Sequence, residues 1–238
     1  MSRSGFFTTG LLHRFPHPAV PVRLILATHA ALTLAFKILR TDPPEGFRLE
    51  DAGEDEITRV LKDILEDHLL DNGEVAGFDR RRFRNVVRAP EISNYDGSHP
   101  AKKPDLVLFL LRREHRNVRP SQDGIFAECK PVDDSHAIGQ HYCDKGIARF
   151  VDGDYAWSMQ DGLMVGYVRG ARTLLQNLSP VIAVNPRHEK LGSPLAPAEV
   201  QGGETHPLHT TEHGRRFSWA NGQPACRIKL YHSWHCCG

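Results

Sequence analysis

The sequence has almost no excess of charge. Thirty Lys and Arg against 29 Asp and Glu leave a formal +1 over 238 residues, so any surface for an anionic polymer has to be a local patch. Cysteine is scarce as well. Cys129, Cys143, Cys226, Cys236 and Cys237 are odd in number, far apart and partly set in apolar runs, which argues against a disulfide framework and for reduced thiols in a cytoplasmic protein. There is no Gly-rich phosphate loop, no nucleophile elbow and no HExxH, which removes the chemistries those motifs carry. Internal repeats and low-complexity tracts are missing too. With 40% hydrophobic and 25% charged residues, general disorder is excluded and the chain can bury a full core.

One long apolar run is present. "AVPVRLILATHAALTLAFKIL", residues 19–39, has the length of a bilayer span, but Arg23, His29 and Lys37 interrupt it, and each charge inside a span costs about 2.5 to 3.5 kcal/mol. It reads as a buried or partner-facing helix, with membrane association the weaker alternative. The preceding "MSRSGFFTTGLLHRFPHP" lacks the compact basic and apolar regions of a signal peptide.

The rest of the chain alternates between helix and strand patterns. Residues 1–18 read as irregular, and the Pro/Gly-rich "TDPPEGFRLEDAG" (41–53) sets a joint near residue 46, separating an N-terminal helical extension (1–45) from the main domain (46–238). Ile57, Val60, Leu61, Ile64 and Leu65 recur at helical spacing behind an acidic first turn, predicting a helix over 54–73. A strand or irregular edge is expected at 83–92, strands at 105–113, 124–130 (stopped by Pro131), 162–168 and 225–236, helices at 137–154 and 172–184, and a loop at 185–207. This order makes an α/β protein.

The strand patterns at 105–113 and 124–130 carry charge where buried strands are usually plain. Alternation puts Phe126, Glu128 and Lys130 on one face and Ile125, Ala127 and Cys129 on the other, so the apolar face can pack inward while Glu128 and Lys130 converge at the strand end. If the two runs pair, Asp105 joins them. Two carboxylates so close repel unless a cation lies between them, and Mg²⁺ takes one or two carboxylates together with waters and phosphate oxygens. Lys130 beside them can hold an attacking water and balance developing charge. Singly, Asp105 reads as a cap at a strand start, and Glu128 with Lys130 as a solvated face or ion pair.

"PD" at Pro104–Asp105, an apolar strand and "ECK" at Glu128–Lys130 together resemble the PD-(D/E)XK nuclease superfamily. The similarity runs from residue 54 to 168 in the order helix, strand, "PD" strand, "ExK" strand, helix, strand. It implies a central mixed β-sheet flanked by helices, Mg²⁺-dependent (or Mn²⁺-dependent) endonucleolytic hydrolysis of DNA, and a setting in restriction or antiviral defence. By the same resemblance Asp105, Glu128 and the peptide carbonyl of Cys129 are metal ligands, and Lys130 positions the water.

Many members of that superfamily add an acid from the preceding helix. Glu54 lies nearest the apolar stripe, Glu56 is the reserve, and Asp55 points away. Gln140 resembles the helix glutamine of exonuclease-type relatives, but Asp144 stands where their tyrosine is expected. Arg80, Arg81 and Arg82 in "DRRRFRNVVR" and the pair Lys102–Lys103 are candidate phosphate contacts, with a solvated charged face the plain alternative. The tail "CRIKLYHSWHCC" has zinc-type atoms without zinc-type spacing and reads as a closing strand. The alternative function is a catalytically inactive protein of the same fold that binds nucleic acid or a protein partner. An activating partner and a homodimer are compatible with either reading.

Overall fold

Short apolar runs with β-branched residues form strands here, and the segments between them supply helices. A computed structural model describes residues 15–112, 118–202, 206–219 and 221–238. Outside them fall most of the irregular start (1–14), Arg113 of the second expected strand, and 203–205 of the expected loop. Helix α1 is Val22–Thr41. Helix α2 is Glu54–Asp63, continued by π-helical turns over Ile64–Leu70. Strands β1 (Phe83–Arg88), β2 (Leu106–Leu110) and β3 (Gly124–Val132) follow. Then come α3, π-helical over Gly139–Ile147 and α-helical over Ala148–Val151, and β4 (Asp161–Val168). Three one-turn helices, α4 (Leu174–Asn177), α5 (Ser179–Ile182) and α6 (Arg187–Lys190), lead to β5 (Ala198–Glu199), β6 (Leu208–His213) and β7 (Ile228–Cys236).

The strands form one open mixed sheet of seven in the order β1-β2-β3-β4-β7-β6-β5. β1, β2 and β3 are an antiparallel meander, β3, β4 and β7 run parallel, and β6 and β5 return antiparallel. The protein is therefore α/β with a mixed sheet. α1 and α2 cover one face: Phe36 stacks on His235 at 4.4 Å between ring centroids, and Thr58 bonds Tyr167. α3 covers the other, with Tyr142 edge-on to Trp234.

Several sequence expectations change. β1 ends at Arg88 instead of residue 92, because Ala89 takes a positive φ of 46° and turns the chain away. Pro131 does not stop β3. The Cys129 N–H points to the β2 side, so by two-residue periodicity the Pro131 nitrogen does as well, and β2 does not extend that far. The helix expected over 172–184 breaks into α4 and α5, Pro180 standing in the first turn of α5. The expected 185–207 loop holds α6 and β5, and β6 was not expected. Within the N-terminal extension, α1 buries Leu24, Ile25, Leu32, Phe36 and Leu39 in the same core as the sheet. It is the one described helix long and apolar enough to cross a membrane, and 56% of its apolar window is buried within the protein.

Gly166 fixes how the centre of the sheet packs. It pairs with Lys130 on one side and Trp234 on the other, and a Cβ there would lie 2.5 Å from the indole Cδ1. Gly166→Ala is expected to lower stability by about 1–3 kcal/mol through overpacking, read as a fall in the midpoint of thermal unfolding.

A candidate metal-dependent active site

Asp105 stands one residue before β2, where the pairing with β3 would otherwise lapse. Its Oδ2 accepts the Cys129 N–H at 2.7 Å, doing for β3 what a continued β2 carbonyl would have done. The carboxylate is thereby fixed beside the end of β3. Glu54 is the first residue of α2, and that turn is tied to the sheet. Thr58 Oγ1 donates to the Glu54 carbonyl at 2.7 Å, so Tyr167, 2.8 Å away, has to be the donor in the bond to Thr58.

These elements converge on the ammonium of Lys130. Nζ lies 2.8 Å from Glu54 Oε1, 2.9 Å from Glu128 Oε1 and 3.4 Å from Asp105 Oδ2, and it donates to the Cys129 carbonyl at 2.8 Å. Four oxygens from three chain segments thus surround one point. Solvent reaches Glu54 and Asp105, whose side chains are 34% and 24% exposed, but hardly Glu128 at 7%. The second oxygen of Glu128 accepts from the hydroxyl of buried Tyr155.

The electrostatics follow from three acids sharing one cation. Burial, then repulsion from Asp105, pushes the Glu128 carboxyl up to about 7, with Lys130 and Tyr155 opposing. Burial also raises Glu54, partly offset by Lys130. Burial works against the charge on Lys130, but Glu128, Asp105 and Glu54 outweigh it and hold the ammonium well above its usual range. With all three acids ionised the cluster carries a formal −2.

The donor set has the chemistry a hard divalent cation selects: carboxylate and carbonyl oxygens with no sulfur or imidazole. The shell is wider than the roughly 2.1 Å that Mg²⁺ requires, and the ammonium stands at its centre. Among the described residues no three His, Cys, Asp or Glu side chains form a ready cage. The residues that would hold such an ion are Asp105, Glu128 and the Cys129 carbonyl, with Glu54 the remaining oxygen donor around Lys130 Nζ.

Of the helix acids, the fold brings Glu54 to the cluster and leaves Glu56 exposed and Asp55 bonded to Arg88 at 3.0 Å. The Cys129 thiol turns to the opposite face beside Tyr167, and burial pushes it up. Arg80, Arg81 and Arg82 do not join the site. They precede the far end of β1, where Phe83 pairs with Leu110, whereas Arg88 pairs with Leu106 next to Asp105. The five positions between Phe83 and Arg88 amount to roughly 17 Å. Arg80 is held by Glu66 and Asp71, and Arg82 by Asp79. Lys102 and Lys103 lie on the loop into Asp105, paired with Asp154 at 3.0 Å and Glu91 at 3.1 Å. Gln140 is exposed on the second residue of α3. Sequence reasoning did not find Tyr155. Its only signal is general, that a tyrosine in an apolar setting needs a partner for its hydroxyl.

Set against known protein families, curated proteins and solved structures, the chain matches none of them.

Proposed function

We propose that this protein is a Mg²⁺-dependent endonuclease of the PD-(D/E)XK type, hydrolysing DNA phosphodiester bonds, with Mn²⁺ able to replace Mg²⁺. The observation that carries the reading is the meeting of Glu54, Asp105, Glu128 and the Cys129 carbonyl around Lys130 Nζ, within 3.4 Å. A bound divalent ion supplies Lewis acidity toward a phosphoryl oxygen and a more acidic water. The chain does the rest. Asp105, Glu128 and the Cys129 carbonyl bind the ion, and Glu54 serves as an accessory acid. Lys130 would orient the attacking water with its ammonium and face the charge that develops as the water oxygen bonds to phosphorus, the water's proton passing to solvent and the departing ester oxygen taking one from it. Lys102 and Lys103 on the loop into Asp105, and Arg88 paired with Leu106, are the candidate phosphate contacts, and a restriction or defence role in the cytoplasm fits this chemistry.

The second reading is an inactive nuclease fold that binds nucleic acid or a protein. What favours it is the same ammonium, which already neutralises part of the cluster. One substitution separates the two. Asp105→Ala in an active enzyme is expected to reduce Mg²⁺-dependent cutting by more than the roughly 10- to 100-fold that loss of an outer-shell partner costs, as read by plasmid nicking. On the second reading, neither wild type nor variant cuts.

A further inference from the structure

Tyr155 is buried, its ring edge-on to Phe150 at 5.2 Å, and its hydroxyl donates to Glu128 Oε2 while Lys130 takes Oε1. Both oxygens of the least exposed acid are therefore held, one by a neutral group from outside the cluster. The turn that presents Tyr155 is unusual. Gly153 has φ 74° and Ala156, fully buried and not a glycine, has φ 52°, a conformation that costs roughly 1 kcal/mol or more for a residue with a Cβ. A Cβ on Gly153 would lie 2.7 Å from the Phe217 ring and 2.9 Å from that of Tyr95.

The turn is held in place by a half-buried arginine. Arg215 Nη1 donates to the Trp157 carbonyl at 2.7 Å, and Nη2 donates to Ala156 at 3.2 Å and to Met159. The Asp161 carboxylate acts on this guanidinium electrostatically, and its Nε has no hydrogen-bond partner among the described residues. Desolvating part of a guanidinium to hold three backbone carbonyls is costly, and strain fixed in this way collects where geometry matters for function. Asp154, next to Tyr155, bonds Lys102 at 3.0 Å and Arg149 at 2.9 Å, so the same turn is tied to the loop that delivers Asp105.

From this geometry we infer that Tyr155 is a positioning residue. The Arg215-pinned turn aims its hydroxyl at Glu128 so that this carboxylate is presented to a divalent ion in one orientation. The inference rests on the metal-dependent reading above. Tyr155→Phe keeps the ring and deletes only the hydroxyl. The test is Mn²⁺ binding to full-length wild type and variant by electron paramagnetic resonance, with DNA affinity measured in EDTA and unfolding temperature as controls. A loss of Mn²⁺ affinity of about 10- to 100-fold is expected, with DNA affinity unchanged and cutting recovered at high Mn²⁺. Mn²⁺ affinity within about threefold of wild type overturns the inference, leaving the nuclease reading intact. So does a parallel loss of DNA affinity and thermal stability, which marks a structural role. Wild type that neither binds Mn²⁺ nor cuts DNA sinks the nuclease reading, and the inference with it.

Discussion

Lys130→Ala is expected to abolish cutting and to lower stability by about 3–5 kcal/mol, the cost of removing one partner from a buried ionic cluster. For a chain of this size that is roughly 6–20 °C in the unfolding midpoint. Three acids then face one another without their counter-charge. They respond by binding protons, so the loss is largest near pH 8 and shrinks as the pH falls toward 5. The same reasoning predicts a rescue: Mg²⁺ stabilises the variant more than the wild type, because the ion no longer competes with the ammonium for the same oxygens. Calorimetric scans of both proteins with Mg²⁺ and with EDTA check this. An unchanged midpoint and no added response to metal would mean that Lys130 is not the cluster's counter-charge.

Glu128→Gln has the second large effect, and it runs in opposite directions for stability and activity. The Glu128 carboxyl is raised from an ordinary 4.5 to about 7. Between those pH values the folded state keeps a proton that the unfolded state has lost. Stability therefore falls as pH rises from about 4.5 to about 7 and levels off above, by about 3 kcal/mol at about 1.36 kcal/mol per pH unit. Glutamine has no proton to lose. The variant is expected to unfold at a higher temperature than wild type at pH 8, to show little difference at pH 5, and to be inactive. In the wild type, ion binding requires the ionised carboxylate, so apparent Mg²⁺ affinity should fall about tenfold per pH unit below about 7. A variant less stable than wild type at pH 8, or an Mg²⁺ affinity flat from pH 6 to 8, would contradict this assignment.

Much of the cluster was legible because strand periodicity acts on every residue. Glu128 and Lys130 share a face two residues apart, Pro104 and Asp105 mark a strand start, and helical projection chose Glu54 over Asp55 and Glu56. The structure brings these residues together for the reasons the pattern suggests. Tyr155 was not legible. Its place depends on a left-handed Ala156 and on Arg215, about sixty residues further on, and no local pattern encodes either. The arginines at 80–82 looked suitable as phosphate contacts, yet their position along β1 is set by its register with β2, which composition does not reveal.

β6 lacks a legible strand pattern for a different reason. "LHTTEH" looks like a polar surface segment, but its histidines are buried and neutral. Leu191's carbonyl can only accept, so His213 Nδ1, 2.8 Å away, carries the proton. Its Nε2 then accepts from Thr211, which accepts from His232 Nε2, each at 2.7 Å, and His232 Nδ1 accepts from Tyr142 at 3.0 Å. Burial pushes His213 down to about 4 and His232 well down, which keeps both uncharged. A chain of polar groups satisfied in this way packs like a core strand without an apolar signature.

Metal-dependent phosphodiester hydrolysis at the acids around Lys130 is the function proposed for this protein. The most direct measurement incubates purified wild type and Asp105→Ala with supercoiled plasmid in Mg²⁺, in Mn²⁺ and in EDTA. Nicking or linearisation by wild type with either metal, lost in EDTA and in the variant, is the predicted result. Intact plasmid in every lane, or equal cutting by the variant, would contradict it.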